Sequence, residues 1–124
     1  MVVEGATLEV HRPAPVGQLL EGVAASPGVV EGVARVVLHV DDEAGVRPGE
    51  VLVAPHTDPG WTPYFLQACA VVTDFGGLLS HGAVVAREYG LPAVVNVVTA
   101  TARIRDGQRL RVDGTRGRVE LLDS

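Results

Sequence analysis

Glycine and proline interrupt this sequence so often that its apolar residues fall into short runs. The chain has 15 glycines and 8 prolines among 124 residues, and residues 51–54 and 70–73 are two of the unbroken apolar runs between them. Short apolar runs rich in β-branched residues and bounded by turn residues are typical of strands, and an unbroken run is typical of a buried strand. The pattern predicts a compact α/β domain with more strand than helix.

Turn residues set the bounds of the predicted elements. Residues 29–40 are predicted as a long strand with Gly32 as a candidate bulge. Thr62 and Pro63 are typical of an N-cap followed by proline at the first helical position, which predicts a helix through about residue 68. Residues 83–89 suit a second helix that Gly90 closes. The remaining predicted strands are residues 51–54, 70–73, 92–98 and a hairpin of 109–112 with 118–122.

The first 20 residues differ from the rest. They mix polar residues with Pro13 and Pro15 and have no sustained apolar period. Proline fixes its own φ and biases the preceding residue away from helix, so this stretch is predicted to be extended. We interpret residues 1–20 as a linker or N-terminal arm and residues 21–124 as the domain.

Composition excludes several functions. The formal net charge is −5 and aromatic residues make up only 4% of the chain, which argues against a nucleic-acid-binding surface. No apolar run approaches 18 residues, so no membrane span is expected, and no signal peptide is apparent. The chain has no lysine and therefore no Walker-type phosphate lysine, and its single cysteine, Cys69, permits no internal disulfide. A cytoplasmic protein fits best.

The segment with the clearest chemical character runs from an apolar strand through Gly76, Gly77 and Ser80 to His81 and a helix. A helix N-terminus offers free N–H groups and the positive end of the helix dipole, which together favour an anion. Glycines let the backbone approach a ligand closely. A neutral imidazole is a nucleophile near pH 7. A histidine beside a phosphate-binding turn is suited to accept a phosphoryl group and pass it on.

Other interpretations of His81 remain open on spacing alone. It could serve as a cap or as an ordinary polar residue. It could also bind a metal, with His56 as the one candidate second ligand, but no close ligand spacing supports a metal site. Thr73 could donate its hydroxyl to the bound anion or simply end a strand.

Residues 73–95, which contain the run Gly-Gly-Leu-Leu-Ser-His-Gly, resemble the signature of the phosphoenolpyruvate-utilising enzyme mobile domain. The resemblance extends to the Ala-Ser-Pro-Gly at 25–28, to residues 48–53 and to residues 104–107, and covers roughly 20–122. It implies a swivelling β/β/α phosphohistidine domain, an α/β sandwich of short strands with a central helix after the active histidine. It also implies that His81 is phosphorylated through Nε2, with Gly76, Gly77, Ser80 and Thr73 near the phosphoryl group.

Two positions indicate which branch of this family the sequence resembles. Pyruvate phosphate dikinases have threonine where this chain has Leu79, and phosphoenolpyruvate synthases typically have cysteine where it has Ser80. Together with the Asp-Pro-Gly-Trp-Thr-Pro at 58–63, these residues look most like the rifampicin phosphotransferase branch. The alternatives are a dikinase or synthase fragment, or an interaction module that keeps the fold without the transfer. Both a free-standing carrier and an excised terminal domain remain compatible with the sequence.

The resemblance also implies partners. The domain would accept a phosphoryl group on His81 from an ATP-grasp nucleotide-binding domain and deliver it to an acceptor-substrate domain, in the same chain or in another. No cofactor is expected in this chain, and ATP with Mg²⁺ is implied for the partner. The chain would be a phosphotransferase component that is not active alone.

Overall fold

The computed structural model describes residues 16–40 and 45–122. Most of the predicted N-terminal arm therefore lies outside the described residues. Eight strands and three α-helices occur in the described part of the chain, and a 3-10 turn, Pro59–Trp61, precedes the first helix. The strands are β1 Leu19–Glu21, β2 Val23–Ser26, β3 Val29–Val36, β4 Val51–Ala54, β5 Ala70–Thr73, β6 Ala93–Val95, β7 Arg109–Asp113 and β8 Arg118–Leu121. The helices are α1 Thr62–Gln67, α2 His81–Tyr89 and α3 Ala100–Arg103.

The strands follow the order β1-β8-β7-β3-β4-β5-β6-β2. The four central neighbours β3, β4, β5 and β6 run parallel, and the flanking pairs are antiparallel. Strand β3 takes part in both kinds of pairing, because residues 29–33 pair antiparallel with β7 and residues 34–36 pair parallel with β4. The chain thereby passes from an antiparallel half (β1, β8, β7 and the start of β3) into a parallel half.

Each face of the parallel half contacts a different layer. Val51 and Val53 of β4 share a core cluster with the β7 residues Leu110 and Val112, whereas Leu52 points to the opposite cluster, which holds residues of α1 and α2. This alternation follows from the period of two along a strand. The result is a layered β/β/α domain, and the predicted α/β class is confirmed.

The turn between β7 and β8 contacts both ends of β2, the last strand in this order. The Gly114 N–H donates to the Gly28 carbonyl at 2.8 Å, and the Gly22 N–H donates to the Gly117 carbonyl at 2.9 Å. A Cβ on Gly114 would lie 1.9 Å from the Ser26 carbonyl oxygen. Only glycine allows the hairpin turn to lie this close to β2.

Two predictions about β3 were wrong. The strand ends at Val36 rather than at residue 40. Gly32 forms no bulge, because β3 keeps a regular register with β7 through this position. Its role is steric, since a Cβ there would lie 2.9 Å from the Cys69 sulfur. The irregularity lies instead in β2, where the register with β6 shifts between Ala24 and Ser26.

The sheet begins earlier than predicted. Leu19 and Leu20, which were assigned to the arm, belong to β1 and pair with Glu120 and Val119 of β8. Leu20 is buried in the core. A strand of three residues carries almost no local pattern, so this pairing depends on a partner strand at the other end of the sequence.

Other bounds moved by a few residues. Strand β6 stops at Val95 because Asn96 takes a left-handed conformation with φ of 57°. The helix predicted over 83–89 begins two residues earlier, at His81, and ends as predicted at Gly90 in the left-handed conformation. The hairpin of β7 and β8 is confirmed. No helix in the described residues has the length and apolar character that a bilayer crossing requires.

The close approach at Gly114 yields a stability prediction. Gly114→Ala forces a methyl group against the backbone of β2, where no side chain can rotate away, and we expect a loss of about 2 kcal/mol or more. Gly77→Ala is the control, because a Cβ at Gly77 has no neighbour within 4 Å and should change stability by less than about 0.5 kcal/mol. Urea unfolding measures both. Equal stability of the two variants would contradict the contact.

Candidate functional site

The candidate site lies at the edge where the parallel strands end. Because β4, β5 and β6 run in the same direction, the segments that follow them emerge side by side. Residues 55–58 follow β4, and residues 74–80 follow β5 and lead into α2. Ligand sites in parallel sheets typically occupy this carboxyl edge. The fold thus brings His56 and Thr57 next to the glycine-rich segment before His81.

His81 is the first residue of α2, and Ser80 is its N-cap. The Val84 N–H donates to the Ser80 carbonyl at 3.0 Å. The N–H groups of the three residues between them have no intrahelical acceptor, as at any helix start. The Ser80 side chain does not cap these groups. As far as the described residues show, these N–H groups have no acceptor, so the helix N-terminus offers donors beside the imidazole, which favours an anion there.

Two residues orient the imidazole of His81. The Thr57 hydroxyl lies 2.9 Å from Nδ1. The Phe65 ring of α1 packs edge-to-face against the imidazole with ring centroids 5.8 Å apart. Among the described residues, no hydrogen-bond partner approaches Nε2. The ring is half-buried, with one nitrogen engaged and the other available.

The contact with Thr57 bears directly on nucleophilicity. Either Nδ1–H donates to the hydroxyl oxygen, or the hydroxyl donates to an unprotonated Nδ1. The first arrangement places the free lone pair on Nε2, and the second places a proton there. Thr57 can accept from Nδ1–H and thereby hold the tautomer in which Nε2 attacks an electrophile.

The two predicted glycines play different parts. Gly76 has φ of +125°, and a Cβ there would lie 2.9 Å from the Ser80 hydroxyl. Glycine is therefore required at Gly76 by both conformation and space. Gly77 faces open space, but its carbonyl accepts hydrogen bonds from the Ser80 hydroxyl at 2.7 Å and from the Ser80 N–H at 3.1 Å. This tight turn sets the direction in which the chain enters α2.

Like the Ser80 hydroxyl, the Thr73 hydroxyl donates to a nearby backbone carbonyl. Thr73 is buried at the end of β5, and its hydroxyl donates to the Phe75 carbonyl at 2.7 Å. Its hydrogen is thus committed to the loop, as is that of Ser80. Of these two hydroxyls, only the oxygen lone pairs remain, so neither is placed to donate to an anion in this conformation.

A hollow of about 110 Å³ lies among these residues. It is lined by His56, Thr57, Thr73, Phe75, Gly76, Ser80 and Gly82. Three predicted site residues thus lie together, and His81 adjoins the hollow through its bond to Thr57. A Cβ on Gly82 would lie 3.1 Å from the Thr57 hydroxyl, so glycine at the helix start leaves room for Thr57 beside the imidazole.

Two further contacts hold the segment before His81. The Asp74 carboxylate accepts hydrogen bonds from the Thr101 N–H at 2.8 Å and from the Thr101 hydroxyl at 2.7 Å, which ties the end of β5 to α3. The Arg87 guanidinium of α2 donates to the Ala25 carbonyl at 2.8 Å and also to the Leu78 carbonyl. Arg87 thus bridges two backbone segments.

Sequence reasoning missed the two residues that orient His81. Thr57 lies 24 positions before it and Phe65 lies in a separate helix. The signal that could have found Thr57 is the rule that neighbouring parallel strands end at one edge. His56 had been weighed as a metal ligand. In residues 16–40 and 45–122, no three His, Cys, Asp or Glu side chains come together as a metal site would need.

The arginines of the hairpin serve the outer face of the sheet. Arg111 forms ion pairs with Glu31 at 2.7 Å and with Glu120 at 2.8 Å, and the hydrogen bond to Glu31 raises its pKa. Arg116 pairs with Asp113 at 3.2 Å. None of these residues lines the hollow. Within the structure they are a solvated, ion-paired surface.

Cys69 packs against the core. It is half-buried beside the cluster that includes Val51 and Ala70. Burial raises the pKa of its thiol, which disfavours the thiolate form. Trp61 is likewise buried in packing contacts, edge-on to Tyr64 with centroids 5.5 Å apart.

Among solved structures, an NMR solution structure of Enzyme I is 29% identical with a TM-score of 0.55, covering 68% of this chain and 34% of that one. Aconitase X of Thermococcus kodakaraensis has a TM-score of 0.64 at 20% identity, covering 86% of this chain and 100% of that chain. The second likeness concerns the fold alone.

Sequence relatives are much longer than this chain. Rifampicin phosphotransferase of Bacillus cereus is 55% identical over 105 residues, which are 85% of this chain and 12% of that protein. Phosphoenolpyruvate synthase of Aeropyrum pernix is 50% identical over 107 residues, 85% of this chain and 13% of that protein. The chain thus spans about an eighth of these relatives. The family described as PEP-utilising enzyme, mobile domain, matches residues 46–117. On this match and these identities, the chain belongs to the PEP-utilising enzyme mobile domains.

Proposed function

We propose that this domain is a phosphoryl carrier in which His81 accepts a phosphoryl group through Nε2 and passes it to an acceptor. The observation that carries the proposal is the imidazole at the start of α2, with Nδ1 held by Thr57 and Nε2 unpartnered among the described residues. The names of the relatives, a phosphotransferase and a phosphoenolpyruvate synthase, support the same chemistry.

Loading would be a displacement at phosphorus. The Nε2 lone pair attacks the phosphorus of the donor, a P–N bond forms, and the P–O bond to the leaving nucleotide breaks with its electron pair on oxygen. Nδ1 keeps its proton, so the phosphorylated ring carries a positive charge that the Thr57 oxygen stabilises. The free N–H groups at the start of α2 lie near the added oxygens.

Delivery reverses these changes. An acceptor oxygen attacks the phosphorus, the P–N bond breaks, and its electron pair returns to Nε2. The proton of the acceptor passes to a base outside this chain. Because Nδ1–H is retained throughout, His81 ends each cycle in the tautomer in which it began.

The donor and acceptor belong to other parts of a longer assembly. We propose an ATP-grasp domain as donor, with ATP and Mg²⁺ bound there, and a separate acceptor-substrate domain, all in the cytoplasm. The relatives leave most of their length for such parts. The similarity to rifampicin phosphotransferases favours an acceptor of the kind in that name, rifampicin. The identity of 50% to a phosphoenolpyruvate synthase supports a second candidate, a synthase fragment.

The decisive experiment is phosphoryl loading. With ATP, Mg²⁺ and the nucleotide-binding partner, one phosphoryl group should appear on the chain as an acid-labile, alkali-stable adduct, detected by intact mass spectrometry. His81→Ala should abolish it. His39→Ala and His56→Ala should load nearly as the unsubstituted chain does, since the hydrogen-bond and ring partners of the imidazole among the described residues are Thr57 and Phe65. Loading that survives His81→Ala, or a phosphate found on serine, would overturn the mechanism.

Thr57 provides a sharper test of the tautomer. Thr57→Val keeps the shape of the side chain and removes the acceptor for Nδ1–H, so the rate of loading should fall about tenfold, the equivalent of one hydrogen bond. Thr57→Ser should restore most of the rate. Ring ¹⁵N chemical shifts of His81 should show less of the Nδ1–H form in the valine variant. An unchanged rate and tautomer would exclude this role.

The chain alone should not handle nucleotide. It has no lysine, and the hollow beside His81 has too little room for a nucleoside triphosphate. Isothermal calorimetry should therefore detect no ATP binding with a dissociation constant near 1 μM, and no ATP hydrolysis should occur. Micromolar affinity in the isolated chain would contradict the division between carrier and donor.

A further inference from the structure

Three large apolar side chains stand in solvent directly before His81. Phe75, Leu78 and Leu79 have exposed fractions of 59%, 52% and 90%. We call these three side chains the apolar collar. In the described residues many of the other large apolar side chains are buried in two core clusters, while some, such as Leu66 and Val98, are also exposed. Exposed apolar surface that is grouped beside a reactive residue marks an interaction site more often than scattered single residues do.

Hydrogen bonds hold the backbone of the collar in place. The Phe75 N–H donates to the Pro55 carbonyl at 3.0 Å. The Leu78 carbonyl accepts from Arg87, which also binds the Ala25 carbonyl of β2. The Ser80 hydroxyl and N–H close the turn on Gly77. The collar is therefore presented in one arrangement, and its exposure does not result from a loose end of the chain.

The charge of the segment narrows the class of partner. Residues 75–86 contain no acidic and no basic side chain apart from His81, in a chain of net charge −5. The next cation, Arg87, is engaged with backbone carbonyls. A nucleic acid or an anionic membrane would be recognised by a group of cations, which the collar lacks. The complementary surface is a neutral, apolar one on a protein.

Phosphoryl transfer supplies the reason for such a contact. The donor phosphorus must come into line with Nε2, and water must be kept from the reacting group. An apolar protein contact made by the segment directly before His81 serves both needs at once. In the relatives the matching segment is 12% and 13% of the length, so in those proteins further protein surface shares its polypeptide.

We propose that the apolar collar of Phe75, Leu78 and Leu79 is the surface on which the nucleotide-binding donor part docks when His81 is loaded. The inference rests on the proposed carrier function and adds its docking surface. Arg87 is a positioning residue in this scheme, because it holds the collar relative to β2 without touching the reacting atoms.

The test separates docking from chemistry by using two phosphoryl sources. One is the proposed nucleotide-binding donor domain, supplied with ATP and Mg²⁺. The other is potassium phosphoramidate, a small donor that needs no docking surface. Leu79→Asp is compared with Val16→Asp, whose side chain is 62% exposed beside the antiparallel half of the sheet. Loading at His81 is followed by intact mass spectrometry in both arms.

We expect Leu79→Asp to reduce partner-dependent loading by about tenfold or more, as for the central residue of an interface, while phosphoramidate loading stays unchanged. Val16→Asp should match the unsubstituted chain in both arms. Equal partner-dependent rates for Leu79→Asp and the unsubstituted chain would overturn the docking surface and leave the carrier function intact. A parallel loss with phosphoramidate would also overturn it, because the substitution would then act on the histidine itself. If neither source loads the unsubstituted chain, the carrier function fails and the inference with it.

Discussion

The whole arrangement depends on burying both faces of two neighbouring parallel strands. Every residue of β4 and β5 is buried. Two strands with apolar side chains on both faces require cover on both sides, so the hairpin of β7 and β8 packs on one face and the helices α1 and α2 on the other. At about 25 cal/mol per Å² of apolar surface removed from water, neither layer can be dispensed with. The site occupies the edge at which these two strands end.

This constraint explains why His81 is held so well by so small a domain. Helix α2 must lie against the sheet to bury Ala83 and Ala86, and that contact fixes the position of its first residue. Phe65 is in the same cluster, and its ring meets the imidazole edge-on. The packing that stabilises the fold therefore also orients the candidate nucleophile.

Local sequence signals predicted the elements that carry their own pattern. The apolar runs of β4 and β5, the hairpin and the end of α2 at Gly90 were correctly predicted, because each depends on side-chain period or on a turn residue. The strands β1 and β2 were not predicted. They are three and four residues long, and they form only because β8 and β6 offer them partners.

In the candidate site, too, residues with a local sequence pattern were predicted, and residues brought in by distant contacts were not. The motif predicted His81 and Gly76 as site residues; in the structure Gly76 lines the hollow and His81 adjoins it through Thr57. It could not reveal Thr57, because that contact exists only once β4 and β5 are neighbours. Nor could the motif show that the Ser80 hydroxyl donates its hydrogen to the Gly77 carbonyl. Short polar side chains often bond to nearby backbone in this way, and only the coordinates show which acceptor is used.

The order of the strands has a consequence for synthesis on the ribosome. Leu20 pairs with Val119, and the first half of β3 pairs with β7. The strands that are synthesised first therefore cannot pair until the last strands have been synthesised. Contacts between such distant positions slow folding, and a polypeptide emerges at about 5–20 residues per second. During elongation β1 and the start of β3 are unpaired edges, open to wrong association. The domain completes itself only when residue 121 has left the exit tunnel, so premature termination in the last hairpin removes the partners of its first strands.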